Sequence, residues 1–357
     1  MNRSQSHPVT LADVAAAAGV SLATASRALH PGARRVGEDL KVKVLDTARR
    51  LNYSTNVQAQ AVASGTSKEI GLLVHDIADP YFSAIAAGVM RAADAHDLLV
   101  TLGNTARSPE REIDHFAALR SRRCRAVILA GSRVADTKLN DALRAEVDAF
   151  RATGGRVVSI GQHRLPVDTV ILENRAGARQ LAQALGELGH RRFGVVGGPP
   201  ELLTARHRLQ GFREGLARIP GASLEAVVHG DFTRDGGHAS MGQLLARDLA
   251  LDCVFAATDI MAVGAMAKCR DLGIAVPGDL AFAGFDDIST LRDVTPALTT
   301  VRLPLEHIGE TALDLVVTTE PDAAPRLRRV KGEVVVRAST PPRDQRRGGH
   351  RPGLGAR

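Results

Sequence analysis

Ser21, Thr24, Ser26 and Arg27 fall within seven residues of one another. Their hydroxyl and guanidinium groups are of the kind that donate to phosphate oxygens and base edges. Leu22 and Ala23 among them offer apolar contact to thymine methyl groups. To act together such groups need a rigid carrier, and the residues around them predict one. Thr10 is placed as an N-cap with Asp13 three residues on to complete a capping box, and an Ala-rich helix former runs on to Gly19. Gly19 can adopt the left-handed conformation that turns the chain, Val20 fills the angle, and Ser21 caps a second helix. The unit expected is a helix-turn-helix whose second helix offers Leu22, Ala23, Ser26 and Arg27 to the major groove.

Two alanine-rich helices joined by a glycine would equally suit a helical bundle. Charge separates the readings. Arg34 and Arg35 follow in the next loop, and Leu40, Val44, Leu45, Ala48 and Leu51 recur at helical spacing, leaving Lys41, Lys43, Arg49 and Arg50 outward. Through Lys68 there are nine Lys/Arg against four Asp/Glu, a field that attracts phosphates.

The remainder alternates short apolar runs with helical stretches. Residues 70–74, 98–102, 126–129 and 157–160 read as buried parallel strands, and a second series follows at 193–196, 226–228, 253–256 and 280–283. Two series imply two doubly wound lobes, with a ligand site beyond the carboxyl ends of the strands. A nicotinamide dehydrogenase shares this rhythm, but no G-x-G-x-x-G follows a strand. The glycines around Gly194, Gly197 and Gly198 run straight into Pro199 and Pro200, which opposes a phosphate-cradling helix start. No Walker loop, H-E-x-x-H or G-x-S-x-G appears either, so no enzyme, cofactor or metal is expected. Cys124, Cys253 and Cys269 are single and widely spaced, as reduced buried thiols would be. No apolar window is long enough to span a membrane and the first eight residues hold no signal-peptide core, which points to a cytoplasmic protein.

Several motifs together resemble the lactose- and galactose-repressor (LacI/GalR) family of bacterial transcription factors. Val9-Thr10, Asp13-Val14-Ala15, Ala18-Gly19-Val20-Ser21, Ser26-Arg27, Leu51-Asn52-Tyr53 and Ile70-Gly71-Leu72 match its headpiece. Asp79-Pro80-Tyr81-Phe82, Glu173-Asn174, Arg206-His207-Arg208, Gly230-Asp231-Phe232, Thr258-Asp259 and Gly284-Phe285-Asp286-Asp287 match its sensor core. The resemblance implies a small all-α helix-turn-helix headpiece (residues 1–55), a hinge helix (56–68), and an α/β two-lobed core like a type I periplasmic binding protein, with parallel doubly wound sheets (69–340). A basic tail, expected to be disordered, follows (341–357). It implies DNA contacts at Thr10, Ser21, Leu22, Ala23, Thr24, Ser26 and Arg27 and, in the hinge, at Asn56 and Val62. It implies an effector held by Asp79, Phe82, Arg208, Phe232, Thr258 and Asp286. The carboxylate of Asp286 would accept from the ligand, Arg208 would donate to it, and Phe82 and Phe232 would sandwich its apolar face. Ordinary core packing of the two rings and a structural Arg208–Asp286 salt bridge are the competing readings.

The implied activity is allosteric, effector-controlled binding of a homodimer to a palindromic operator, most simply as a repressor responding to a sugar-like metabolite. A nucleoside- or purine-responsive regulator or an activator is the alternative within the family, and a solute-binding protein or Rossmann-like enzyme the alternative outside it. Three departures from the pattern matter. Thr258 stands where sugar-responsive members often carry Asn, and Leu22 and Ala23 replace polar base readers. In the hinge, Val62 replaces a larger Leu wedge. The two ends of the chain, residues 1–68 and 337–357, each carry a net +5 against +7 overall, which leaves −3 for residues 69–336.

Overall fold

Thr10 begins the first helix, α1 (Leu11–Ala18), through a reciprocal cap: its Oγ1 accepts from the Asp13 amide at 3.3 Å and Asp13 Oδ2 accepts from the Thr10 amide at 2.8 Å. Such a cap stabilises by about 1 kcal/mol. Gly19 ends the helix at φ +65°, and Val20 packs into the headpiece core. Ser21 Oγ then accepts from the Thr24 amide at the start of α2 (Leu22–Leu29). With α3 (Glu38–Arg50) these helices bury Val14, Ala15, Ala18, Ala25, Ala28, Val44 and Ala48. A core made largely of alanine lets the three axes approach closely. Leu40, expected within that core, instead lies on the outer side of α3 at 37% exposure, because Val44 and Ala48 already fill the small interior.

The computed structural model describes residues 9–29, 36–53, 67–318 and 323–343. The chain falls into two units, Met1–Ser67 and Lys68–Arg357. Most of the expected hinge, with Asn56 and Val62, and the tail beyond Arg343 lie outside the described residues.

The second unit begins with β1 (Glu69–Val74), α4 (Pro80–Asp94), β2 (Leu99–Asn104), α5 (Pro109–Ser121), β3 (Ala126–Ala130), α6 (Thr137–Ala152), β4 (Arg156–Gly161) and β5 (Asp168–Leu172). The other lobe follows as α7 (Asn174–Glu187), β6 (Arg192–Gly197), α8 (Leu203–Leu216), β7 (Ser223–His229), α9 (Arg234–Leu245), β8 (Cys253–Ala256), α10 (Asp259–Asp271) and β9 (Ala281–Ala283). Then come β10 (Thr300–Arg302), α11 (Leu305–Thr318), β11 (Leu327–Val330) and β12 (Glu333–Val335). Two sheets result, both wholly parallel, of order β11-β5-β4-β3-β1-β2 and β7-β6-β8-β9, and β10 pairs antiparallel with β12. Strands β1, β3, β6 and β8 are buried apolar runs, as a parallel sheet covered on both faces requires.

The lobes interlace, which the two-series reading did not anticipate. After β10 the chain returns to the first lobe, where α11 lies along α4 and β11 adds to the edge of the six-stranded sheet beside β5. The return is fixed by mutual close approach: a Cβ on Gly88 would sit 1.9 Å from Glu306 O and one on Gly309 2.1 Å from Ile85 O. Arg91 ties the same helices by pairing with Glu306 and Glu310. Residues 327–335 form two short strands in different sheets, β11 and β12. The run 98–102, expected to be buried, is instead the edge strand β2, with Leu99 67% exposed. Pro341–Arg343, expected to be part of the disordered tail, dock on the second lobe, where the Arg343 amide donates to Leu188 O and its guanidinium pairs with Asp252. Cys124, Cys253 and Cys269 are buried free thiols.

Candidate functional site

Because every strand of both large sheets runs parallel, the residues just after their carboxyl ends converge between the lobes, at the place where doubly wound sheets bind ligands. From the first lobe come His75, Asp79, Tyr81, Phe82, Gly131, Ser132 and Gly161, and from the second Thr204, Arg208, Phe232, Thr258 and Asp286. All six residues expected to meet an effector therefore line one cleft. Asp79 caps α4 by accepting from the Tyr81 amide at 3.0 Å. Phe82 and Phe232 are buried, one from each lobe, and Phe82 meets Tyr81 edge-on at 4.9 Å. Thr258 caps α10 by accepting from the Met261 amide, which leaves its own O–H to donate elsewhere.

Arg208 and Asp286 are joined directly. Arg208 Nη2 donates to Asp286 Oδ1 at 2.6 Å and Nη1 to Oδ2 at 3.2 Å. Nη1 also donates to Ala257 O, and Nε donates to Asn174 Oδ1 at 2.8 Å. The guanidinium lies 3.9 Å over the Phe285 ring. The donor fork expected for the ligand is thus held mainly by protein acceptors, and Asn174 is a positioning residue that sequence reasoning did not assign. Such a buried pair is costly to break, because removing either partner leaves an uncompensated charge. Asp286 also occupies φ +117°, a region disfavoured for any residue with a side chain. Its backbone is held there by bonds from its amide to Val301 O and from the Leu303 amide to its carbonyl. Strain of this kind persists where the surroundings over-determine it, and it concentrates at ligand clamps.

Burial pushes the Asp286 carboxyl up towards about 7, against the pull of Arg208. Behind it, burial pushes Asp259 up to about 6, while Asp259 accepts from the Thr300 hydroxyl at 2.7 Å and the Ile288 amide at 3.1 Å and so fixes the turn carrying Asp286. On the first-lobe wall, burial holds His75 down at about 4. It stands by a second buried bidentate pair, Arg133 to Glu112 at 2.6 and 2.9 Å. His75, Ser132 and Gln162 were not singled out from sequence. The usable signal was that each lies within two residues of the end of a buried strand.

The lobes also touch across the cleft. Arg107 Nη2 donates to Phe232 O at 2.7 Å while facing Asp76 and Asp79 at 3.4 Å. Gln162 Nε2 donates to Thr204 Oγ1, the Thr204 amide donates to Ser132 Oγ, and the Leu203 amide donates to Arg133 O. The enclosed space is about 40 Å³. That is room for two or three waters at roughly 10–15 Å³ each. In the headpiece, Ser21, Leu22, Ala23 and Arg27 are exposed while Ala25 and Ala28 face the core. Leu22 is 54% exposed, an apolar side chain left in water one turn before Ser26. Thr10 serves the α1 cap, and Thr24 and Ser26 are half-buried.

A helix-turn-helix headpiece joined to a two-lobed sensor with a buried polar cleft defines a ligand-responsive DNA-binding regulator. Family comparison agrees: residues 10–56 match the profile of bacterial regulatory proteins of the lacI family, and residues 182–340 that of a periplasmic binding protein-like domain. The chain is 35% identical to the HTH-type transcriptional regulator GalS of Salmonella typhimurium over 87% of its own length and 89% of that protein. It is 32% identical to the HTH-type transcriptional repressor PurR of Proteus mirabilis, over 88% of this chain and 92% of that one. Among solved structures, a lac repressor dimer bound to operator and an anti-inducer superposes with a TM-score of 0.79 at 26% identity, over 94% of this chain and all of that one. The chain belongs to the lacI family of bacterial regulatory proteins and is a helix-turn-helix transcriptional regulator. The relatives are regulators rather than enzymes, and no helix among the described residues is long and apolar enough to cross a membrane.

Proposed function

We propose that the protein is a cytoplasmic repressor that binds a palindromic operator as a homodimer and releases or tightens its hold when an uncharged, polyhydroxylated small molecule enters the lobe cleft. The observation that carries this reading is the Arg208–Asp286 pair, buried between the lobes on a strained turn and flanked by Phe82 and Phe232. Each arginine lining the cleft already faces a carboxylate, Arg208 that of Asp286 and Arg107 those of Asp76 and Asp79, so no free cation is left for an anionic ligand. Such a lining favours a neutral ligand whose hydroxyls join existing networks over an ion that would leave a charge unpaired. A transcriptional regulator in complex with cellobiose, 30% identical over 93% of this chain with a TM-score of 0.67, supports the sugar-like class. Asp79, Phe82, Arg208, Phe232, Thr258 and Asp286 form the effector site in this reading. Ser21, Leu22, Ala23, Ser26 and Arg27 contact DNA directly, and Thr10 and Thr24 hold the helix ends that aim them. Asn56 and Val62 belong to the hinge.

The test is a thermal-shift panel of hexoses, pentoses, disaccharides and nucleosides on the full chain, repeated with Asp286→Asn, which keeps the side-chain shape and removes the charge. A neutral sugar should raise the melting temperature of the wild type and leave Asp286→Asn unmoved, while the variant still binds duplex DNA. A panel in which only nucleosides or charged ligands act, or an undiminished shift in Asp286→Asn, would overturn the assignment.

A further inference from the structure

We propose that the core carries its own DNA-backbone contact, a ridge of arginines along the amino-terminal edge of the six-stranded sheet. Because β1, β3, β4 and β11 are parallel, their starts share this edge. Arg125 precedes β3, and its amide donates to Glu69 O. Arg156 opens β4, and its amide donates to Arg125 O, while Arg326 precedes β11. These three guanidiniums are near enough that Arg125 and Arg326, after burial, lower the proton affinity of Arg156. Arg122 and Arg123 extend the ridge in the turn leaving α5, with Arg123 at φ +57°, and Lys68 precedes β1. Against these six cations stand Glu69, Asp97 and Asp168. Among the described residues Arg123 and Arg125 have no carboxylate partner, and Arg122 reaches Glu69 only at 3.9 Å.

Arginines at helix ends are ordinarily explained by the helix dipole. That accounts for Arg122 beside the end of α5, but not for Arg125 and Arg156, which lie at strand starts. Like charges gathered without matching carboxylates are relieved by a polyanion. Dimensions favour an extended one: from β3 to β11 is three strand spacings of about 4.8 Å each, roughly 14 Å. Phosphates on one strand of a duplex advance ~3.4 Å along its axis while winding around it, so a straight ridge of this length faces about two or three of them, more than a lone phosphate ion supplies. Covalent reach favours DNA as the polyanion. This edge is where the chain leaves for the DNA-binding headpiece through residues 54–66, thirteen residues that span at most about 45 Å when fully extended. Arginines here would add to operator affinity without reading sequence.

The experiment compares the full-length wild type with the triple variant Arg122→Gln, Arg123→Gln, Arg125→Gln on a 40-base-pair duplex of mixed sequence. Dissociation constants are read by fluorescence anisotropy between 50 and 200 mM KCl. Each phosphate contact contributes about 0.9 to the slope of log affinity against log salt, so the triple variant should bind about tenfold more weakly at 50 mM with a slope shallower by about two to three. The double variant Arg122→Gln, Arg123→Gln changes only exposed side chains and should show about two-thirds of the slope change with a wild-type melting temperature, which guards against misfolding at half-buried Arg125. Arg27→Ala is the control for the headpiece: its loss of binding belongs to the recognition helix whatever the ridge does. Wild-type affinity and slope in both ridge variants would overturn the proposal and leave the ridge to an acidic protein surface or to solvent.

Discussion

Burial keeps His75 neutral, and that has a measurable sign. Its folded pKa of about 4 lies below the ordinary 6.5. The unfolded chain therefore takes up a proton as pH falls through 6.5, while the folded chain does so only near 4. Stability contributed by the neutral ring is complete above 6.5 and is lost as pH falls from 6.5 to 4, by about 3 kcal/mol. Asp259 acts oppositely, since a folded value raised to about 6 makes the folded state the better proton binder and stabilises it on acidification. Comparing the wild type with His75→Asn isolates the histidine. Urea midpoints measured from pH 7 to pH 4 should fall more steeply for the wild type than for the variant, and parallel curves would show that the ring titrates as in water. The aspartate and arginine that form the central pair were legible from the family pattern. That they bond to each other, and that Asn174 and Asp259 brace them, depends on residues up to 78 positions apart meeting in space.

The elements most plainly legible were those with local causes: the Thr10–Asp13 box, the Gly19 turn, and apolar strands such as β3 and β8. Those that escaped were β5, whose apolar run is only the three residues Val170-Ile171-Leu172, and β10 and β11, which have none. In β11, Leu327, Arg328 and Arg329 are exposed, and the strand exists because the edge of β5 offers it hydrogen bonds. The helix contact that brings the chain back to that edge should be sensitive to one methyl group. Gly309→Ala would place a carbon against Ile85 O in a contact between backbones that cannot yield cheaply. The expected loss is about 1–3 kcal/mol, seen as a lower urea midpoint of the core. A midpoint equal to wild type would mean that α4 and α11 do not meet at these glycines.

At the scale of the whole sensor unit, hydrogen bonds strap its two lobes together. A cleft of about 40 Å³ is far below the roughly 300 Å³ and more of ordinary ligand pockets, so effector entry requires the lobes to part. Arg107 is the strap with the most reach, linking Asp76 and Asp79 of one lobe to Phe232 O of the other. Arg107→Ala should speed association of the sugar found in the thermal-shift panel by a few-fold in stopped-flow fluorescence. An unchanged association rate would place the barrier elsewhere, at the bridge between Val134 and Leu202. Any effector controls DNA binding only by the difference in its own affinity for the DNA-bound and free states, so a residue that biases lobe closure also biases that coupling.

The sequence by itself determined the headpiece and the parallel α/β character of the core, and its family motifs picked out six residues that line one cleft. These follow from capping chemistry, from hydrophobic period and from motif spacing, all of which act over a few neighbouring residues. Only the tertiary structure decided that the two lobes are interlaced, that Leu40 faces outward, that Pro341–Arg343 are docked, and that Arg208 spends most of its donors on Asp286, Ala257 and Asn174. The physical reason is the same in each case. An edge strand, a surface leucine, a docked terminus and a buried ion pair are each selected by what lies across from them in space, and that partner is distant along the chain.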